Sequence, residues 1–247
     1  MKIAVAGASG RVGRHIVDVL ESAGHDAVPI SRTTGVDIIT GAGLAEALSG
    51  VEAVVDAATG PSPDEKAATE FFKIAARNLQ ETGADAGVQR IVVSIIGCDR
   101  FTGGYGAAKV THEQAHLAGP IPVRILRASQ FHEFVEQLVE WGKQGDVSYV
   151  SKMRMQPVAA RAVAEELAEL ATSAGNGSPI SEIAGPREES LVDIAESFVA
   201  RRGVGIRIVG ASTPDDPYRE VYESGALLPG PNATLAGPTF EEWLSLS

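Results

Sequence analysis

Tyr105 and Lys109 stand four residues apart in the run Tyr105-Gly106-Ala107-Ala108-Lys109. On a helix, positions i and i+4 share one face. An ammonium beside a phenol lowers the phenol's pKa from about 10. A tyrosine so placed can trade a proton with a carbonyl or hydroxyl near neutrality. Ser94 closes the β-branched run Val88-Gln89-Arg90-Ile91-Val92-Val93-Ser94, where its hydroxyl can hold a substrate oxygen beside the tyrosine. Ser94, Tyr105 and Lys109 together have the chemistry of carbonyl reduction by hydride transfer, which requires a bound cofactor as the hydride source.

The first fifteen residues, MKIAVAGASGRVGRH, provide a place for that cofactor. The apolar run Ile3–Ala6 reads as a buried strand. It ends in Gly7-Ala8-Ser9-Gly10-Arg11-Val12-Gly13, after which Ile16, Val17, Val19 and Leu20 recur with helical spacing. Strand, glycine turn and helix in this order form the phosphate-binding corner of a dinucleotide fold, with Gly7, Ser9, Gly10, Arg11, Val12 and Gly13 around the pyrophosphate. The helix N-terminus adds unpaired N–H groups and partial positive charge. A second strand, His25–Ser31, leads into Arg32-Thr33-Thr34-Gly35, the loop that chooses between nicotinamide cofactors. An acid here would repel a 2′-phosphate, whereas an arginine attracts one. Ser31 and Arg32 occupy the loop, with no acid before Asp37, and Arg11 is a second cation. The expected cofactor is NADP(H).

Further along, strands and helices alternate. A short helix Leu44–Leu48 precedes the strand Val51–Ala58, and a helix Ala67–Thr82 precedes the strand Val88–Ser94. A helix Ala107–Leu117, a strand Val123–Leu126 and a helix Glu133–Trp141 complete the series. This rhythm predicts an α/β fold, a doubly wound and mostly parallel sheet with right-handed crossovers. From Val147 the pieces shorten. They comprise a strand VSYV, a helix ending at Ala171, a linker SAGNGSP, a strand Ile180–Ala184, a helix Leu191–Arg201, a strand Ile206–Val209 and a last helix Phe240–Leu246. Residues 147–247 are expected to form a small C-terminal substrate-binding cap, not independent of the cofactor-binding core 1–146, so that 1–247 is one domain.

Composition narrows the function. In 247 residues, 44% are hydrophobic, yet no run is long enough to span a bilayer, so no membrane partner is expected. The apolar N-terminal run stops at Gly7, too short for a signal peptide. A net charge of −11 without a basic block argues against nucleic acid as a partner. The single cysteine, Cys98, excludes an internal disulfide and fits a reducing cytoplasm. Whether the chain is a monomer or a homodimer stays open.

The chain resembles the atypical short-chain dehydrogenase/reductases of the NmrA-like, NAD(P)-binding group. The resemblance lies in GASGRVGRH (7–15), VVDAAT (54–59), IVVSIIGCDR (91–100), YGAAK (105–109) and RILRASQFHEF (124–134). It continues through MQPVAARAVAEEL (155–167), EIAGPREESLVDIA (182–195) and TFEEWL (239–244). It implies a Rossmann fold with a small C-terminal substrate-binding portion. It also implies Gly7, Gly10 and Gly13 at the pyrophosphate, Arg32 at the 2′-phosphate, and Ala57, Ala58 and Thr59 beside the adenosine and ribose. Ser94, Tyr105 and Lys109 fall on its Ser, Tyr and Lys positions. The expected activity is NADPH-dependent reduction of a small carbonyl or conjugated substrate, in which Lys109 also orients the ribose. The alternative is a non-catalytic NADP-binding sensor of NmrA type.

Four other features bear on the site. His112-Glu113-Gln114-Ala115-His116 spells H-E-x-x-H, the zinc-protease pattern. It shares the Tyr105/Lys109 helix and no third-ligand motif follows, so these are expected to be polar positions near solvent, and no metal is expected. Cys98 is expected to be partly buried and inert. Gln130, Phe131 and His132 follow a strand end and are expected at the substrate pocket; Phe131 and Phe134 equally suit a core, and His132 a surface. Gln156, just before the first turn of the next helix at Pro157, is expected to face the substrate.

Overall fold

The computed structural model describes residues 1–82, 89–173 and 178–246. Its elements follow the expected alternation. They begin with β1 (Lys2–Ala6), α1 (Gly13–Ser22), β2 (Asp26–Ile30), α2 (Leu44–Ala47), β3 (Ala53–Asp56) and α3 (Glu65–Thr82). Next come β4 (Gln89–Ile95), α4 (Gly104–Leu117), β5 (Val123–Ala128), α5 (Val135–Trp141), β6 (Lys143–Gln144), β7 (Val147–Ser151) and β8 (Arg154–Met155). The chain closes with α6 (Ala160–Thr172), β9 (Ile180–Ala184), β10 (Glu189–Ser190), α7 (Leu191–Arg202), β11 (Arg207–Ala211), α8 (Arg219–Glu223), β12 (Thr234–Leu235) and α9 (Phe240–Leu246). Val88 and part of the SAGNGSP linker lie outside the described residues.

The main sheet has seven strands in the order β12-β9-β5-β4-β3-β1-β2. β1 pairs in parallel with β2 on one side and β3 on the other, and β3 pairs in parallel with β4. The fold is the mostly parallel, helix-flanked, Rossmann-like α/β architecture expected. Ile3 to Ala6 of β1 and Ala53 to Val55 of β3 are wholly buried, which accounts for their unbroken apolar runs: strands with helices on both faces have no solvent side. After β1 the chain turns to β2 on one side and later crosses to β3 on the other. The ends of β1 and β3 therefore form the switch point where open α/β sheets bind ligands.

The chain forms two compact units, residues 1–127 with 163–181, and residues 128–162 with 182–247. The division falls earlier than the expected boundary after residue 146 and is not a single cut, because most of α6 belongs to the first unit. The first unit holds β1 to β4 with α1 to α4. Arg124 ties β5 to the end of α6 there, donating to Gln89 Oε1 at 2.8 Å and to the Leu170 and Ser173 carbonyls. The second unit carries a three-stranded sheet, β11-β7-β6, and the antiparallel pair β10-β8. Its helix α7 starts at Ser190, whose Oγ accepts the Asp193 N–H, and stops at Gly203 with φ +64°. Among the described residues no helix is long and apolar enough to cross a membrane.

Candidate active site

The glycine loop is shaped by close backbone approach. Gly7 leaves β1 with φ +77°. A Cβ there would lie 2.7 Å from the Ala57 carbonyl oxygen and 2.8 Å from Ala58 Cα. A Cβ on Gly13 would overlap the Gly7 carbonyl oxygen, so α1 starts directly on the end of β1. Gly10 donates its N–H to Gly7 O at 2.8 Å, closing the turn. Ser9, Gly10 and Arg11 are exposed, whereas Val12 is buried and anchors the helix start. No side chain caps α1; the turn itself takes the Arg14 N–H at Gly10 O (3.2 Å) and the His15 N–H at Val12 O (2.9 Å). The loop after β3 (Ala57, Ala58, Thr59) meets this turn at Gly7, and the Ala58 N–H donates to Asp56 Oδ1 at 3.0 Å.

Arg32 opens a short 3-10 turn, Arg32–Thr34, at the end of β2. Its geometry comes from Ser31, whose N–H donates to Thr34 Oγ1 at 3.1 Å, and from Gly35 with φ +81°. Ser31 Oγ also lies 2.7 Å from Thr33 Oγ1. The Arg32 side chain is exposed.

Ser94, Tyr105 and Lys109 lie on β4 and α4 of the same unit, but their polar groups serve different networks. Ser94 is 2% exposed; its hydroxyl is 3.9 Å from Cys98 Sγ and bonds to Glu113. Glu113 in turn takes a two-pronged ion pair from Arg127, with Nε to Oε1 at 2.9 Å and Nη2 to Oε2 at 2.8 Å. Burial would raise the Glu113 carboxyl, but the bonds from Arg127 and Ser94 bring it below its ordinary value. Burial, with the Glu113 charge nearby, pushes the Cys98 thiol up to about 11; the cysteine is fully buried, where a partly buried one was expected.

Lys109 is 3% exposed. Its Nζ donates to Val93 O at 2.8 Å and to His112 Nδ1 at 3.0 Å, and lies 4.7 Å from the centre of the Phe72 ring. Burial lowers its pKa to about 8, against the pull of Asp56. Tyr105, half-buried, packs its ring 5.9 Å from Phe72. Its phenol does not move in the expected direction: burial pushes it up to about 12. The hydrogen bonds of Ser94 and Lys109 lead away from Tyr105.

The H-E-x-x-H residues correct a second expectation. His112, Glu113 and His116 are not near solvent; they are 1%, 4% and 0% exposed. Their partner is Asp56, wholly buried in β3, whose Oδ2 lies 3.0 Å from His112 Nε2 and 3.0 Å from His116 Nε2. Burial would raise Asp56, yet the two imidazole bonds outweigh it and hold the carboxyl well below the ordinary range. A carboxylate only accepts, so both Nε2 atoms carry protons. The His112 ring stacks on Phe72, with centres 4.4 Å apart, and its pKa falls to about 3 through burial and the neighbouring Lys109 charge.

Asp56, His112 and His116 place three ligand atoms within 4.8 Å of one another, close enough to hold a metal ion. The protons argue otherwise. A neutral imidazole that binds metal through Nε2 carries its proton on Nδ1 and donates it to an acceptor. At His112 the Nδ1 neighbour is a lysine donor, and His116 Nδ1 is buried with no partner among the described residues. This network was not anticipated from the apolar pattern. Its only trace in the sequence is the polar series 109, 112, 113, 116, a helical stripe with the wrong polarity for a core.

The residues expected at the substrate pocket lie in the second unit. Gln130 and Phe131 are half-buried, and Phe131 bridges to Val158. His132 is 1% exposed, contrary to a surface position; its Nε2 lies 3.0 Å from Pro238 O and its ring forms a three-ring cluster with Phe240 and Trp243. Gln156 donates to Gly185 O at 2.7 Å. His132 and Gln156 are thus joined to the unit's own backbone.

The model of the NAD dependent epimerase/dehydratase family matches residues 3–172. No curated protein matches the chain. Among solved structures, the chain resembles dTDP-4-dehydrorhamnose reductase from Bacillus anthracis in complex with NADP, at 18% identity over 98% of this chain and 96% of that one, TM-score 0.73. It also resembles Citrobacter sp. triphenylmethane reductase complexed with NADP(H), at 16% identity over 100% and 99%, TM-score 0.71. A third is UDP-glucuronic acid 4-epimerase from Bacillus cereus in complex with UDP-glucuronic acid and NAD, at 16% identity over 99% and 97%, TM-score 0.70. At these identities the likeness is one of fold.

Proposed function

Because the chain belongs to the NAD dependent epimerase/dehydratase family, we propose that it is an NADPH-dependent oxidoreductase that reduces a small carbonyl or conjugated substrate in the cytoplasm, within the NmrA-like branch of the short-chain reductases. The observation that carries this reading is the cradle at the switch point. Gly7 and Gly13 leave no room for a Cβ, and the uncapped N-terminus of α1 begins at the same place. Such a loop accepts a pyrophosphate against bare backbone. Solved relatives hold NADP or NAD. The choice of NADP rests on Arg32, exposed on its turn with no acid in the loop before Asp37, and on Arg11 in the glycine loop.

When bound, the cofactor supplies the hydride. Tyr105 supplies the proton from its hydroxyl. With a pKa near 12 the phenol stays protonated across neutral pH, the state needed for reduction and not for oxidation. Lys109 spends two of its three N–H bonds on Val93 and His112, which fixes the direction of the third as a donor to the ribose. Ser94 holds the substrate oxygen once it turns from Glu113.

Titration of the purified protein with NADPH and NADH, followed by nicotinamide fluorescence, tests the reading. Tight binding of NADPH with weak binding of NADH supports it; binding of neither removes it. A second reading, a non-catalytic NADP sensor, draws on the inward Ser94, bonded to Glu113 and Cys98. Tight NADPH binding without turnover across a carbonyl panel would favour it.

A further inference from the structure

We propose that Asp56 is the buried counter-ion of Lys109, reached through neutral His112, and that Asp56 and His112 are positioning residues that keep this lysine charged and aimed inside the site. The inference rests on the reading of Lys109 as the cofactor-side lysine. The geometry is a continuous chain: Lys109 Nζ to His112 Nδ1 at 3.0 Å, then His112 Nε2 to Asp56 Oδ2 at 3.0 Å. His116 holds the same oxygen at 3.0 Å, and the Ala58 N–H holds the other. Lys109, His112, Asp56 and His116 are each 3% exposed or less.

Elimination identifies the counter-ion. The titratable and charged groups around Lys109 come from four elements and one turn. On α4 itself they are Tyr105, His112, Glu113 and His116. Cys98 lies in the turn after β4, Asp56 on β3, Arg90 on β4 and Arg127 on β5. Tyr105 and Cys98 stay protonated and neutral, raised to about 12 and about 11. The charge of Glu113 also reaches Lys109, but less than that of Asp56, and it is engaged by the two-pronged pair with Arg127. His112 is neutral, with its pKa lowered to about 3. Asp56 is the remaining anion, and its field reaches both Lys109 and Arg90. A lone ammonium this deeply buried would shed its proton; an anion joined to it by one polarisable ring prevents that. The arrangement also fixes the tautomer of His112, with the proton on Nε2.

The test reads the protons directly in ¹⁵N-labelled, cofactor-free protein by NMR of the imidazole nitrogens and of Lys109 Nζ between pH 6 and 10. The expected result is an Nε2–H tautomer for His112 and a Lys109 midpoint near the lowered value of about 8. Asp56→Asn moves that midpoint down by about one unit or more. His112→Gln, whose amide can still accept from Lys109 and donate to Asp56, keeps it, whereas His112→Leu lowers it. An Nδ1–H tautomer at His112, or a Lys109 midpoint unmoved by both Asp56→Asn and His112→Leu, overturns the proposal. If Asp56→Asn does not fold, the His112 pair and the wild-type tautomer decide. One equivalent of Zn²⁺ should leave the imidazole signals unchanged; coordinated shifts at both histidines would make the cluster a metal site and also overturn it. NADPH affinity is then followed with pH. Wild type should weaken as pH rises through the Lys109 midpoint, and Asp56→Asn should weaken at a lower pH. Failure of wild type to bind NADPH at any pH removes the proposed function, while the nitrogen signals still decide the counter-ion.

Discussion

Tyr105 and Arg32, one for the proton and one for the choice of cofactor, can each be tested alone. Tyr105→Phe removes one hydroxyl from a ring that packs on Phe72, so folding and NADPH affinity should hardly change. Turnover should fall by about 10²-fold or more, the usual worth of a positioned proton donor. Steady-state rates beside an NADPH titration check this, and retained turnover removes Tyr105 from the mechanism. Arg32 is exposed, and its turn is held by Ser31, Thr34 and Gly35. Arg32→Ala should therefore leave stability unchanged and weaken NADPH by roughly tenfold, about one charge-assisted bond of 1.4 kcal/mol, with NADH unaffected. An equal loss for both cofactors would overturn the 2′-phosphate assignment.

At the scale of elements, α1 and α4 do different work. The start of α1 is set by contact with the strand end, so Gly13→Ala forces a methyl into the Gly7 carbonyl. A cost of about 1–3 kcal/mol in unfolding free energy is expected, with loss of NADPH binding even where the protein stays folded; denaturant melts and fluorescence titration separate the two effects. Helix α4 turns a polar stripe inward. Glu113 on that stripe joins the Arg127 pair to Ser94 and Cys98. Glu113→Gln keeps the shape but removes the charge that Arg127 needs. Denaturant melts should show a loss of about 2 kcal/mol, and an unchanged midpoint would mean that Arg127 finds Asp99, 3.4 Å away, an adequate partner.

For the whole molecule, the buried network predicts how stability responds to pH. Asp56 and Glu113 both have folded pKa values below their ordinary values of 3.8 and 4.5. Groups of this kind contribute stability that is complete above the unfolded pKa and is lost as pH falls toward the folded one. Lys109 shifts the same way, its folded value of about 8 lying below its ordinary 10.5, but for a cation this lowering is a cost to the folded state. The folded state binds fewer protons there, so its contribution becomes less unfavourable as pH rises through that window. Thermal melts should therefore show stability falling as pH drops below about 6.5, first through His112, whose folded value of about 3 lies below its ordinary 6.5, and then through the two carboxylates, with a shallower acid limb in Asp56→Asn. A limb of unchanged slope would mean that the carboxylate is not held by its histidines.

The order of elements, the glycine turn and the cofactor loop were legible in the sequence because each depends on near neighbours. Ile3–Ala6 are apolar because a central strand has no wet face, Gly7 and Gly13 are glycines because backbone approaches them, and Ser31 to Gly35 shape a local turn. The fate of the polar residues was not legible. His112, Glu113 and His116 read as a solvated helix face, since local periodicity assigns polar residues to solvent. Their burial depends on Asp56, 56 residues from His112 in the chain, on Phe72 from α3 and on Arg127 from β5. Likewise the spacing of Tyr105 and Lys109 put them on one helix, but long-range partners decided that Lys109 turns to His112 and Val93 and that burial raises the phenol. A desolvated polar group is stable only when partners from elsewhere in the chain satisfy it, and only the tertiary structure brings those partners together.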